Sequence, residues 1–235
     1  MTLKALIFDV DGTLAETEEA HRAAFNATFQ AWGLDWEWSR DDYAELLKTT
    51  GGKERMKRFQ LDLPAAARRL NDDDIAALHR DKTRAYADIL ARGELTLRPG
   101  VAALVERAKA AGVRVAVATT TNTPNVEALT QCCWGRPATD VFEVIAAGDM
   151  VRAKKPAPDV FNLALERLGL PASDCLAFED SRNGVLSARG AGLNVLVTPS
   201  AYTAGDDFGG AAWTVPDLTL DNLPVFLARA VGAMV

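Results

Sequence analysis

Apolar residues fall along this chain in two rhythms. Near the start, Leu3 to Phe8 is a compact apolar run in which Leu6, Ile7 and Phe8 read as a strand buried on both faces. From Leu14 to Gly93 the spacing changes to three and four. Ala20, Ala24, Phe25, Thr28, Phe29 and Trp32 form a helical stripe within Glu16 to Trp32, and Gly33 is a natural stop. Further helical patterns run from Asp41 to Leu47, from Lys53 to Phe59 and from Asp72 to Leu90, the last with acids in its first turn. No strand is expected in this segment, which reads as an all-helical insertion after the first strand.

From Pro99 onward helices alternate with short apolar strands. Helices are expected at Pro99 to Ala111, Pro124 to Cys132, Pro158 to Leu168 and Arg182 to Ala191. Strands are expected at Val113 to Ala118, Val144 to Ala147, Leu176 to Phe178 and Val195 to Val197. This alternation predicts an α/β fold with a doubly wound, mostly parallel, Rossmann-like sheet. The division that follows is a core of residues 1–14 and 95–235 with a helical cap of residues 15–94. In such sheets ligands bind at the carboxyl ends of the strands, so the residues placed there carry the chemistry.

The first strand runs into Asp9-Val10-Asp11-Gly12-Thr13. Alternation lets Asp9 and Asp11 face one side, and Gly12 lets the backbone turn away. Two carboxylates so close repel unless a cation joins them; a hard divalent ion such as Mg2+ would do so and could hold a phosphate against one of them. The second strand ends in Thr119-Thr120-Thr121-Asn122, and Thr123, Pro124 and Asn125 open a helix, a neutral cradle for an anion. Lys155 stands between strand and helix with Pro156 and Pro158 fixing its approach, and a further strand ends in Glu179-Asp180. Singly, each ending is ordinary loop chemistry. Together they supply a nucleophile, a cation, phosphate donors and a proton carrier, the parts of a phosphoryl-transfer site.

The 235 residues are 49% hydrophobic and 25% charged, enough for a sizeable core. A net charge of −6 opposes a nucleic acid partner, whose phosphate backbone demands clustered positive charge. No apolar run reaches membrane-spanning length and no secretory leader is visible, so a cytoplasmic protein with no membrane partner is expected. Cys132, Cys133 and Cys175 make neither a disulfide framework nor a zinc site and read as ordinary thiols.

Asp9-x-Asp11-Gly12-Thr13, Thr119, Lys155 before Pro156, and Glu179-Asp180 reproduce in order the four motifs of the haloacid dehalogenase-like hydrolases, and the resemblance covers essentially the whole chain. The strings FDVDGTLAETEEAHR, TTGGKER, VATTT with PNVEAL, and VIAAGDMV with KKPAPD are similar to the CbbY-type phosphatases. That family removes the carbon-1 phosphate of xylulose-1,5-bisphosphate, an inhibitory by-product of Rubisco, to give xylulose 5-phosphate. The resemblance implies that Asp9 is the nucleophile, forming an aspartyl-phosphate, and Asp11 the acid and then base. It implies a Mg2+ held by Asp9, the backbone carbonyl of Asp11 and Asp180, with Glu179 acting through water. Thr119 and Lys155 would bind the transferring phosphate.

A bisphosphate needs a second anion site. Thr49, Thr50, Gly51, Gly52 and Lys53 break two helices and expose N–H groups beside a lysine, and His79, Arg80, Asp81 and Lys82 follow within one turn of the next long helix. Glu16 is expected to accept hydrogen bonds from substrate hydroxyls, whereas His21, Trp36 and Trp38 read as cap structure. A monomer is expected. The rival readings are a β-phosphoglucomutase-type mutase or a broader sugar-phosphate phosphatase, then a true dehalogenase, then a non-catalytic binding module with a broken motif.

Overall fold

The structure, a computed structural model, describes residues 3–233. β1 (Ala5–Phe8) is followed by four helices, α1 (Glu18–Ala31), α2 (Arg40–Leu46), α3 (Gly52–Leu61) and α4 (Asp72–Leu90). The chain then alternates through α5 (Val101–Ala110), β2 (Arg114–Ala118), α6 (Thr123–Trp134), α7 (Ala138–Val141) and β3 (Val144–Ala146). It continues with α8 (Asp159–Leu168), β4 (Cys175–Glu179), α9 (Arg182–Gly190), β5 (Asn194–Val197), β6 (Trp213–Thr214) and α10 (Val225–Ala230). The strands form one sheet in the order β3-β2-β1-β4-β5-β6, and every neighbouring pair is parallel. The fold is the doubly wound α/β class expected from the alternation.

Both faces of the sheet are covered, which is why its strands read as unbroken apolar runs. Leu6 and Phe8, with Val117, Phe178 and Leu196, pack on one face with Leu104, Val126 and Leu227 from α5, α6 and α10. Ala5 and Ile7, with Ala116, Ala177 and Val195, pack on the other with Phe161 and Val185 from α8 and α9. A third cluster unites α1 to α4 through Phe25, Phe29, Trp36, Trp38, Tyr43, Met56, Ile75 and Leu78. Trp38 is fully buried there, its ring 4.6 Å from Phe25 and 4.9 Å from Phe29.

Two linkers join this helical cluster to the sheet and touch each other. Ala15 bridges Leu97, and the Arg98 N–H donates to Leu14 O at 2.8 Å. α1 begins at Glu18 and not at Glu16, so Glu16 lies in the first linker. The pattern does not announce α7, β6 or α10, of four, two and six residues. Among the described residues no helix is long and apolar enough to cross a membrane.

Candidate active site

β1 is central, and its neighbours β2 and β4 pair with it in register, so the residues that follow the three strands arrive at one edge. Asp9, Glu179 and Asp180 each bring a carboxylate oxygen to within 4.8 Å of the others, and all three are buried. Lys155, also buried, donates to Asp9 Oδ1 at 2.5 Å and to Glu179 Oε1 at 2.6 Å. One ammonium against three carboxylates leaves the cluster short of positive charge. Burial pushes Asp9 up to about 8 against the pull of Lys155, and it drives Asp180 well above the ordinary carboxylate range, with Asp9 and Glu179 adding to the rise. Glu179 Oε2 is buried without a hydrogen-bond partner. A hard, oxygen-seeking cation fits such a donor set and would keep these acids ionised.

Gly12 makes this crowding possible. It has φ +81°, and a Cβ there would lie 2.2 Å from Asp180 Oδ2. The turn that follows Asp11 therefore rests directly on the carboxylate at the end of β4.

Asp11 does not join the three-carboxylate group. Its Oδ1 accepts from Thr17 Oγ1 at 2.6 Å and lies 2.9 Å from His21 Nε2, while His21 Nδ1 lies 2.6 Å from Lys82 Nζ. If Lys82 donates to Nδ1, Nε2 carries the proton given to Asp11. Burial works to raise Asp11, but His21, Thr17 and Lys82 outweigh it and hold the group at about 2. The same burial lowers Lys82 to about 7. His21, expected only as cap structure, is with Thr17 the contact that fixes Asp11. Thr17 and His21 stand four residues apart at the start of α1, the one signal that could have revealed the pair.

A cavity of about 890 Å³ opens over Asp9, Asp11, Lys155 and Asp180. Thr50, Gly51, Gly52, Lys53, His79, Arg80 and Lys82 line it from the helical side, and Thr120, Thr121, Asn122, Pro124 and Asn125 from the sheet side. Most residues expected around a ligand thus share one space. Burial, with Lys82 and Lys53 nearby, depresses His79 to about 3, so it stands neutral among these cations.

Five of the expected residues are absent from this lining. Glu16 is outside the cavity lining, lying 3.4 Å from Arg98 Nε and accepting from the Ala201 N–H, because it precedes the first turn of α1. Glu18 lines the cavity instead, held by the Tyr43 hydroxyl at 2.8 Å. Asp81 turns away to accept from Trp32 Nε1, since helical spacing puts residues 79, 82 and 83 on one face and 81 on another. Thr49 closes the turn after α2 through its N–H to Leu46 O, and Thr123 bonds Asp149, both away from the lining. Thr119 is fully buried, with its hydroxyl accepting from the Thr121 N–H.

Other lining residues have no individual role expected from the sequence. Lys154 belongs to the lining, and it is lowered by burial and then, among its neighbours, by Lys53. Asn183, near the start of α9, donates to Thr50 Oγ1 at 3.1 Å, and Arg55 donates to the Tyr43 hydroxyl at 2.8 Å. Tyr202 reaches across from the segment after β5 to donate to Glu19.

With this geometry in place, the comparisons with known proteins narrow the identity. The haloacid dehalogenase-like hydrolase family matches residues 3–192. The chain is 60% identical to protein CbbY of Rhodobacter capsulatus over 219 residues, covering 93% of this chain and 95% of that one. It is similar to the crystal structure of CbbY from Rhodobacter sphaeroides in complex with phosphate, at 52% identity and a TM-score of 0.88, covering 92% of this chain and 95% of that chain. A mutant of the same CbbY, in complex with xylulose-(1,5)bisphosphate, matches with the same identity, coverage and TM-score. The chain belongs to the haloacid dehalogenase-like hydrolases and is a phosphatase of that family.

Proposed function

We propose that the chain hydrolyses xylulose-1,5-bisphosphate at carbon 1, giving xylulose 5-phosphate and phosphate, with residues 15–94 acting as a cap over the core site. The observation that carries this reading is one cavity lined both by the acid cluster at the strand ends and by cations outside it. Asp9, Lys155 and Asp180 line it, as do Lys53, Arg80 and Lys154, cations suited to a second phosphate. A relative whose crystal structure holds that bisphosphate supports the choice.

In this reading Asp9 attacks phosphorus and the carbon-1 oxygen leaves, taking a proton from Asp11. Water then attacks the resulting aspartyl-phosphate, Asp11 takes its proton, and Asp9 is regenerated. Lys155 and the Thr119 to Thr121 turn take up phosphate oxygens. The Lys82–His21 pair favours the ionised form of Asp11, the form needed to accept a proton from water. In the first step Asp11 must arrive protonated, so its His21 contact has to give way to the leaving oxygen. Asp9, Asp180 and the Asp11 carbonyl would hold Mg2+, with Glu179 beside them, and the ion would supply charge neutralisation at the phosphate when bound. The test is phosphate release from a panel of pentose and hexose mono- and bisphosphates, with and without Mg2+. Turnover of the bisphosphate well above the rest is expected; an isomerised sugar phosphate in place of free phosphate would mark a mutase.

A further inference from the structure

Arg98 stands in the second linker, between α4 and α5, and its side chain is 9% exposed. Its Nη1 donates to Gly12 O, to Thr198 O at 2.7 Å and to Thr198 Oγ1 at 3.2 Å, and its Nη2 donates to Pro199 O at 2.6 Å. One guanidinium therefore joins two loops that are remote in sequence, the turn after β1 and the segment after β5. Both loops meet the same carboxylate. Gly12 packs on Asp180, and Thr203, just beyond Pro199, donates to Asp180 Oδ2 at 3.2 Å.

We infer that Arg98 is a positioning residue for the reaction, its planar fork setting the place of Asp11 relative to Asp180 through the carbonyls of Gly12, Thr198 and Pro199. Arginine suits the task because its donors diverge in a fixed plane, whereas a lysine presents one mobile point charge. The carboxylate of Glu16 is 3.4 Å away and nearly half exposed, so it is a weak partner, and the main-chain oxygens carry most of the contact. This role extends beyond the proposed substrate, because it applies to any phosphate ester that the acids turn over.

The test uses Arg98→Ala and Arg98→Lys in the full chain, with p-nitrophenyl phosphate as substrate. Mn2+ binding is followed independently by the resonance signal of the free ion. A separate cavity of about 390 Å³, lined by Arg98, Glu16 and Asp217, gives a small cation access to the vacated place. Arg98→Ala is expected to lose roughly tenfold or more in kcat with little change in KM, and to bind Mn2+ severalfold more weakly. Guanidinium should restore much of both losses, and ammonium should not. A purely structural arginine predicts otherwise: unchanged Mn2+ affinity and a kcat that guanidinium leaves untouched, and that result overturns the inference. Should Arg98→Ala fail to fold, Arg98→Lys, which keeps the charge but not the fork, is expected to lose kcat and Mn2+ affinity in the same sense, and wild-type values for both in that variant overturn the inference. Wild-type protein that binds no Mn2+ would defeat the metal reading alone, leaving Arg98 to be judged by rescue of kcat.

Discussion

Burial of Asp9 beside Glu179 and Asp180 makes its charge costly, and pH acts directly on that cost. A carboxyl raised from 3.8 to about 8 contributes stability that is whole below its unfolded value and is lost as pH climbs through the folded one. In chelator the thermal midpoint should fall between pH 4 and pH 8, and Asp9→Asn should flatten the slope while abolishing phosphate release. An unchanged slope in that variant would place the cost elsewhere. Asp11 has the opposite sign: lowered to about 2, it contributes stability above 3.8 that disappears as pH falls toward 2. His21→Ala removes the contact that keeps Asp11 low, so the Asp11-controlled limb of the kcat/KM profile should move to higher pH. A loss of roughly a hundredfold in kcat is expected, at the lower end of what positioned acid–base groups supply. A profile that keeps its limbs would separate His21 from proton transfer.

At the scale of the elements, the turn between β1 and α1 is the least forgiving. Gly12→Ala puts a side chain into a left-handed backbone and against Asp180, so kcat should fall and the proposed Mg2+ requirement rise, at a stability cost of about 1–3 kcal/mol. Equal metal requirement in wild type and variant would refute the contact. Trp38→Ala empties the centre of the aromatic cluster and should cost about 3–5 kcal/mol by chemical denaturation. Elements of this kind were legible where a rhythm was long enough to see. The strands ending at Phe8, Ala118 and Glu179 announced themselves as apolar runs stopped by polar residues. Trp213–Thr214 is too short to show any period. His21 sits in the same stripe as Ala24, Phe25 and Thr28, so periodicity assigns it to packing, and only the turn geometry brings it to Asp11. Glu16 and Glu18 differ by two positions in a string of acids, and where α1 begins decides which one enters the cavity.

In the molecule as a whole, the proposed discrimination between one phosphate and two rests on cations drawn from both sides of the cavity. Lys53 comes from α3 and Lys154 from the segment before α8. Lys53→Ala and Lys154→Ala should each weaken kcat/KM for xylulose-1,5-bisphosphate by roughly tenfold or more, the equivalent of about 1.5–3 kcal/mol for a charged contact. A small one-phosphate substrate should be affected much less, and equal losses on both would remove these lysines from the distal site. The sheet order has a consequence for how such an enzyme comes into being. Ala5 pairs with Arg114 on one side and with Cys175 on the other, so β1 precedes both of its partners in the chain and gains its second one only when β4 is made. Asp9 leaves the ribosome long before Lys155, Glu179 and Asp180, the neighbours that bury it and give it work. A product that stops short of β4 has neither Glu179 nor Asp180 and leaves β1 with an open edge. Premature termination should therefore yield inactive, aggregation-prone fragments instead of a weaker enzyme, and refolding should be slowed by these distant pairings.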